Sequence, residues 1–380
     1  MTGDRGMRVA IACSGLGHVQ RGIEAWSNDL AGGLRKAGID VTLFSGVPAD
    51  TAVGLVCLKR TGPANRLLTG VFRHLGGWRY GAGSTYEIEQ TSFSLALWLR
   101  IRRSFDILHV QDPVIARWFE AAHDRGISRP KVIYANGTGE DGTVMRRFRR
   151  LQLLTRGARD DWSRHRPEGQ SVFTIPNFVD TAVFSPGGQD RARARFNLPQ
   201  DRIIVLCCAA IRRYHKRIDM LLTEFAAIRD PNVMLVVAGG RESDTDEIIA
   251  HGTALLGDRV RFLPDVPRAN MPDLYRSADM FALASLHEMF GIVLVEAMAS
   301  GLPVVCHDAP NFRVIVGPAG EFHDVSVTGG LAAGMTALLD RGVREGLAAR
   351  ARAHTEKSFS ETATIPAVIE MYRSVMKTSL

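Results

Sequence analysis

Cysteine is scarce in this chain: 380 residues hold five, Cys13, Cys57, Cys207, Cys208 and Cys306. Their number is odd and their spacing wide, which excludes a disulfide framework and a CxxC metal site. Four lie in or beside apolar runs such as RVAIAC and IIVLCC, where buried thiols are ordinary. Long apolar runs are missing as well. No stretch approaches the ~18 residues of a membrane-spanning helix, and the opening run is broken by Arg8 too early for a signal-peptide core. The expectation is a cytoplasmic, soluble protein. HExxH, an EF-hand loop, a His/Cys cluster and a Walker lysine are all lacking, so no metal site is expected. Lysine is rare: of the 47 basic residues only Lys36, Lys59, Lys131, Lys216, Lys357 and Lys377 are lysines. The net charge of +7 permits an anionic partner without requiring one. No recognised nucleic-acid module accompanies it, so no nucleic-acid partner is expected.

What is present is core material and punctuation. The chain is 46% hydrophobic and 23% charged, with 37 Gly and 16 Pro. That excludes a largely disordered chain and suits a fold of many short elements in two domains. Residues 7–13 read as a buried strand, followed by the turn Ser14-Gly15-Leu16-Gly17. Ile23, Trp26, Leu30, Leu34 and Ala37 then fall on one helical face, Gly38 suits a left-handed helix end, and 39–43 alternate like a strand. This βαβ pattern implies a parallel sheet with right-handed crossovers. A helix over 87–103, strands over 105–110 and 131–135, and a boundary within 177–200 continue it.

A second alternating series follows, with strands over 203–208, 233–238, 259–263, 279–283 and 302–306 and helices over 217–228, 246–256, 271–277 and 291–299. The fold class is therefore α/β, two Rossmann-like halves in tandem, closed by a terminal helix starting at Pro366 whose apolar stripe is Ile369, Tyr372 and Val375. The Gly15-Leu16-Gly17 turn sits where a doubly wound sheet approaches an anion. It is no full GxGxxG, since Gln20 takes the last position, and Asp40 stands at the start of the second strand rather than its end. A nicotinamide dinucleotide is thus not indicated.

The most specific segment is Ser285-Leu-His-Glu288-Met-Phe290-Gly291-Ile292-Val-Leu-Val-Glu296-Ala-Met-Ala-Ser-Gly301. Glu288 precedes a helix, in the crevice beyond a strand end where open α/β sheets bind ligands. The helix start at Phe290, Gly291 and Ile292 offers backbone N–H groups and positive dipole potential for phosphate. Glu296 lies two turns along and, if buried, needs donors such as a ribose diol. A solvent-facing Glu296 and a plain loop charge at Glu288 is the alternative. A cationic cluster, Arg212, Arg213 and Lys216, follows the first strand of the second half and suits a developing diphosphate charge.

This segment resembles the glutamate–seven residues–glutamate signature of retaining GT-B glycosyltransferases of family 4. The resemblance runs through DILHVQDP at 106–113, IPNFVDTAVFSP at 175–186 and RSADMFALAS at 276–285. It implies two Rossmann-like domains facing each other across a cleft: an acceptor-side domain 1–180 with the C-terminal helix 357–380 packed back on it, and a nucleotide-sugar-binding domain 181–356. It also implies that Glu288 contacts the donor sugar, Glu296 the ribose, and Arg213 (or Arg212) with Lys216 the diphosphate. The family's histidine near the donor sugar is Gln111 here, with His109 a weaker candidate. Phe178, Arg217 and Arg313 stand where the family has glycine, glycine and glutamate.

Two further segments have competing readings. Asp244-Thr245-Asp246 reads better as a capped helix start than as a metal-binding DxD. Arg146–Leu154 reads as an amphipathic helix on an anionic leaflet, an acceptor-pocket wall, or a solvated helix face. The expected activity is retaining transfer of a sugar from a nucleotide-diphosphate sugar, UDP favoured on family frequency, to a hydroxyl of a small-molecule, glycan or lipid-linked acceptor, with no metal or other cofactor. The alternatives are a decayed sugar-nucleotide-binding protein and an epimerase or phosphorylase on the same fold. Peripheral contact with the inner membrane face stays open.

Overall fold

The computed structural model describes residues 6–19, 22–77, 81–137 and 139–378; Gln20 lies outside them. The chain divides into two compact units, 1–176 with 364–380, and 177–363. The expected junctions at 180/181 and 356/357 thus move to 176/177 and 363/364.

Unit 1 follows the alternation read from its sequence: β1 (Arg8–Cys13), α1 (Gly22–Lys36), β2 (Asp40–Ser45), β3 (Val53–Gly54), α2 (Pro63–His74), α3 (Thr85–Ile101), β4 (Ile107–Val110), α4 (Pro113–Asp124), β5 (Lys131–Ala135), α5 (Gly142–Met145), β6 (Arg150–Leu153), α6 (Arg156–Ser163) and β7 (Ser171–Thr174). The strands order as β3-β2-β1-β4-β5-β6-β7, all parallel. Central strands buried on both faces are continuous apolar runs: Val9 to Cys13 have at most 1% of their surface exposed. Gly38, at φ +79, ends the first helical turn-back as its position suggested.

Unit 2 comprises α7 (Gln189–Arg195), β8 (Ile203–Cys208), α8 (Ile218–Ala226), β9 (Val233–Gly239), α9 (Thr245–Leu256), β10 (Val260–Pro264), α10 (Met271–Arg276), β11 (Met280–Ala282), α11 (Ile292–Ala299), β12 (Val304–His307), α12 (Pro310–Val316), β13 (Gly320–His323), α13 (Gly330–Ala337) and α14 (Arg341–Ser358). Its order is β10-β9-β8-β11-β12-β13, again parallel. No helix among the described residues is long and apolar enough to cross a membrane.

Two sequence expectations are corrected here. The run Arg146–Leu154 is not a helix: Arg146 and Arg147 lie in a turn, and β6 takes Arg150 to Leu153 into the sheet with all four residues buried. Acids on α4 absorb its charge, Arg149 N–H donating to Glu120 Oε1 at 2.8 Å and its guanidinium pairing with Asp124 at 2.8 Å. The reading of this run as a membrane helix therefore fails. The terminal helix, α15 (Glu361–Lys377), begins five residues before Pro366, which lies inside it. Its buried stripe is Ile365, Val368, Met371, Tyr372 and Val375, with Ile369 at the margin.

α15 is fixed to the unit 1 sheet by a polar contact as well as by that stripe. His109, wholly buried on β4, shares a 2.8 Å hydrogen bond between Nδ1 and Tyr372 Oη, and its ring packs edge-on against Trp26 at 5.1 Å. Lys131 Nζ donates to the carbonyls of Val375 at 2.9 Å and Thr378 at 2.7 Å, the placement that favours a cation at a helix C-terminus.

Burial pushes the His109 imidazole down to about 3, whereas an unfolded histidine titrates near ~6.5. Between those values unfolding takes up a proton, so this stabilisation is complete above the unfolded value and is lost as pH falls towards the folded one. Urea unfolding across mildly acidic pH should show wild-type stability falling more steeply than that of His109→Gln. The difference in slope should reach at most about 1.4 kcal/mol per pH unit. Parallel slopes would place the acid sensitivity elsewhere.

Candidate active site

In unit 2 the strand order reverses between β8 and β11. The loops after those two strands diverge there and leave a crevice at their carboxyl ends. The loop after β8 brings Arg212 to Lys216, and the loop after β11 brings Glu288. Lys216 Nζ donates to Glu288 Oε1 at 2.5 Å across 72 residues of sequence. Both side chains are mostly but not fully enclosed, 21% and 10% exposed. His215 Nε2 stands 4.0 Å from the other carboxylate oxygen. Burial, and then the neighbouring Lys216 charge, holds the His215 pKa below its ordinary value.

Backbone and side-chain ties fix these two loops. Arg217 caps α8 in the left-handed region at φ 51, a conformation that costs any residue with a Cβ, which accounts physically for the family's glycine. Its guanidinium crosses to the carbonyls of Ala284 at 3.3 Å and Val325 at 2.7 Å. Asn311 Nδ2, on α12, donates to the carbonyls of Glu288 at 2.6 Å and Met289 at 3.1 Å. Gly291 then opens α11 at φ +70, where a Cβ would come within 2.9 Å of Leu294.

Glu296 is buried, as its helix position allows, and has protein donors. Arg268 Nη1 pairs with Oε1 and Tyr275 Oη donates to Oε2 at 2.7 Å. A carboxylate offers about four lone-pair sites, so both oxygens can still accept from a diol.

Other expected site residues lie differently. Arg213 turns to α9, with Nη1 on Glu247 at 2.8 Å and its backbone N–H on Asp244 at 2.8 Å. Arg212 Nε donates to Tyr214 O at 2.8 Å. Neither is paired with Glu288 as Lys216 is. Phe290 points into the unit 2 core, edge-on to Phe359 at 5.6 Å, leaving its backbone as the group at the helix start. Ile292 is half-buried beside Gly291. Asp244 sits at the N-cap of α9 without the capping bond expected of it, and Asp246 is paired with Arg241 at 2.6 Å. Among the described residues no group of three or more His, Cys, Asp or Glu is placed to hold a metal.

Unit 1 has the matching reversal, between β1 and β4. Gly15 is buried, Leu16 half-buried and Gly17 exposed at φ +94. A Cβ on Gly15 would strike the Glu24 carboxylate, and one on Gly17 would come within 2.8 Å of Val47. Gln111 is buried against Gly137, and its Nε2 has no hydrogen-bond partner among the described residues. His109 is instead the core residue that holds α15. Beside Gln111, the buried Asp112 accepts from Ser14 N–H at 3.0 Å and Tyr86 Oη at 2.9 Å, and burial raises its pKa. Glu89, wholly buried, takes Arg60 at 2.5 Å and His18 at 2.8 Å. Burial alone would raise this carboxyl; the Arg60 contacts bring it below its ordinary range.

Sequence reading missed Asn311, Arg268, Tyr275 and the Asp112 network. Each acts across tens of residues and leaves no local spacing signal. Arg217 was visible only as a departure from glycine, and Arg313, another departure, pairs with Asp308 at 2.5 Å.

Residues 188–353 match the family described as Glycosyl transferases group 1. The D-inositol 3-phosphate glycosyltransferase of Mycolicibacterium smegmatis is 34% identical over 221 residues, 56% of this chain and 50% of that relative. The protein of the same description from Mycobacterium leprae is 30% identical over 310 residues, 74% of this chain and 71% of that relative. The chain spans about half the length of the first of these. Sucrose-phosphate synthase from Thermosynechococcus elongatus superposes with a TM-score of 0.78 at 19% identity, over 98% of this chain and 100% of that one. At such identity the likeness shows the GT-B fold and nothing finer.

The left-handed Arg217 gives a stability test. Arg217→Gly loses the two carbonyl bonds but relieves the backbone, whereas Arg217→Ala loses the bonds and keeps the unfavourable conformation. Chemical unfolding should find the alanine variant less stable than the glycine variant by roughly 1 kcal/mol. Equal stabilities would mean that the loop relaxes.

Proposed function

This chain belongs to the glycosyl transferases group 1 family, and from that premise we propose that it moves a sugar, with retention, from a nucleotide-diphosphate sugar to an acceptor hydroxyl. The observation that carries the reading is the Lys216–Glu288 pair at the β8/β11 crevice, beside the start of α11. Lys216 meets the departing diphosphate, where a preorganised cation stabilises charge that develops in the transition state. Arg213 is kept as its companion on spacing, with Arg212 in reserve, and Glu247 must then release or share it. The N–H groups at Gly291 and Ile292 take a phosphate oxygen. Glu288 accepts from donor-sugar hydroxyls and Glu296 from the ribose diol, alongside Arg268.

In unit 1, Gln111, whose Nε2 has no partner among the described residues, and the turn Gly15-Leu16-Gly17 are kept as the acceptor-side candidates. The bond from the anomeric carbon to the β-phosphate oxygen breaks as the acceptor oxygen attacks from the same face. The acceptor proton passes to a diphosphate oxygen. D-inositol 3-phosphate, named in the descriptions of the two relatives, is the first acceptor to assay, and UDP the first carrier.

Lys216→Ala should lower turnover at saturating donor by ~10²–10³ in protein that remains folded at the assay temperature; near-wild-type turnover would remove Lys216 from the reaction. Calorimetric titration with UDP, GDP, ADP and dTDP should rank UDP tightest. Turnover should also survive EDTA, because cationic side chains and a helix terminus face the diphosphate. Loss in EDTA with recovery on adding Mg²⁺ would overturn the metal-free reading.

A further inference from the structure

A surface helix ordinarily turns its apolar stripe inward. α2 does the reverse. Its one buried residue is Asn65, whose Nδ2 donates to the carbonyls of Leu58 at 2.6 Å and Thr85 at 2.9 Å. Thr69 Oγ1 donates back to Asn65 O at 2.9 Å. A polar edge therefore pins the helix to unit 1. Leu67, Val71 and Leu75, spaced by four residues, are 72%, 50% and 70% exposed, and Val56 in the preceding segment is 90% exposed. Arg66 and Arg73, seven residues apart and so on one line of the helix, are exposed as well.

Charge in this region is of one sign. Between Thr51 and Tyr86 the sequence has no Asp or Glu, but it has Lys59, Arg60, Arg66, Arg73, His74 and Arg79. Arg60 is spent on Glu89, while Lys59, Arg66, Arg73 and His74 are exposed. An apolar line beside a cationic line on a helix of three turns is the pattern of a segment lying in a membrane interface. A second copy of this chain fits poorly, because the segment offers no acid to meet its own cations.

We propose that α2 and the segment before it form a docking surface for a bilayer rich in anionic phospholipid. Leu67, Val71 and Leu75 enter the acyl boundary and Lys59, Arg66 and Arg73 meet the headgroups. Membrane contact thus belongs to a segment that the sequence reading passed over, and it stands independently of the donor assignment.

Co-sedimentation of the full chain with vesicles tests this. Vesicles containing phosphatidylglycerol should bind at least about tenfold more protein than phosphatidylcholine alone, and high salt should reverse most of the excess. Leu67→Glu with Val71→Glu should lower binding by a similar factor at an unchanged melting temperature, since both side chains are exposed. Arg66→Gln with Arg73→Gln should remove the preference for the anionic lipid. Equal binding to both vesicles, no binding, or unaltered binding by the double glutamate variant would each overturn the proposal. So would a dimer in sedimentation equilibrium that the glutamate variant dissolves while vesicle binding is absent, which would assign the face to a second copy.

Discussion

The reversal of strand order at the middle of each sheet is the constraint from which the candidate site follows. Parallel strands need crossovers, and those crossovers are right-handed. A chain that has wound from β8 outward to β10 can extend the sheet on the other side only by returning past β8 to lay down β11. That return sets the loops after β8 and β11 side by side at the carboxyl edge, and Lys216 and Glu288 meet there although 72 residues separate them. Taking two charges this far out of water offsets most of their mutual attraction, so the pair adds little net stability. Its consequence is geometric: each charge holds the other in the crevice, while Arg217 and Asn311 hold the loops that carry them.

Unit 1 obeys the same rule with a different outcome. At its reversal the polar groups are more deeply buried and largely satisfy one another, Asp112 with Ser14 and Tyr86, and Glu89 with Arg60 and His18. Glu89 is wholly enclosed, and leaving such a charge unpaired costs about 3–5 kcal/mol. The network therefore ties the β1 turn, the segment before α2 and α3 into one rigid edge. Gln111 stands apart from it, with an amide nitrogen that has no partner among the described residues.

Most of the architecture was legible because buried parallel strands and one-faced helices leave strong local patterns. β8 spans 203–208 as read, and α9, β10, α10 and α11 begin within a residue of their expected starts. The failures have physical causes. Arg146–Leu154 looked helical because its charges and leucines mix at short range, whereas the acids of α4 that pair with Arg149 at the strand's start lie more than twenty residues away in sequence. His109 looked like a site residue because it ends a strand; its partner Tyr372 lies 263 residues on. Pro366 looked like a helix start because proline suits that position, yet α15 already runs from Glu361. In the candidate site, motif and spacing point to Glu288, Glu296 and Lys216. The donors around Glu296 were not, because tertiary contact alone brings Arg268 and Tyr275 to it.

The backbone around Lys216 bears on what that residue is for. Four non-glycine residues among those described have positive φ, and two of them, His215 at 69 and Arg217 at 51, flank Lys216. Each such conformation costs roughly 1–2 kcal/mol. Glycine at 217 would avoid that cost, so the loop carries it while the arginine recovers part through two carbonyl bonds. A loop selected for stability alone has no reason to place two unfavourable conformations on either side of one lysine. Such outliers persist where the surrounding structure over-determines them, and they cluster at sites that must hold a group in one direction. Here the double turn lifts Lys216 out of the line of α8 and onto Glu288. The strain and the ion pair are thus two parts of one arrangement, which fixes the Lys216 cation at the mouth of the β8/β11 crevice.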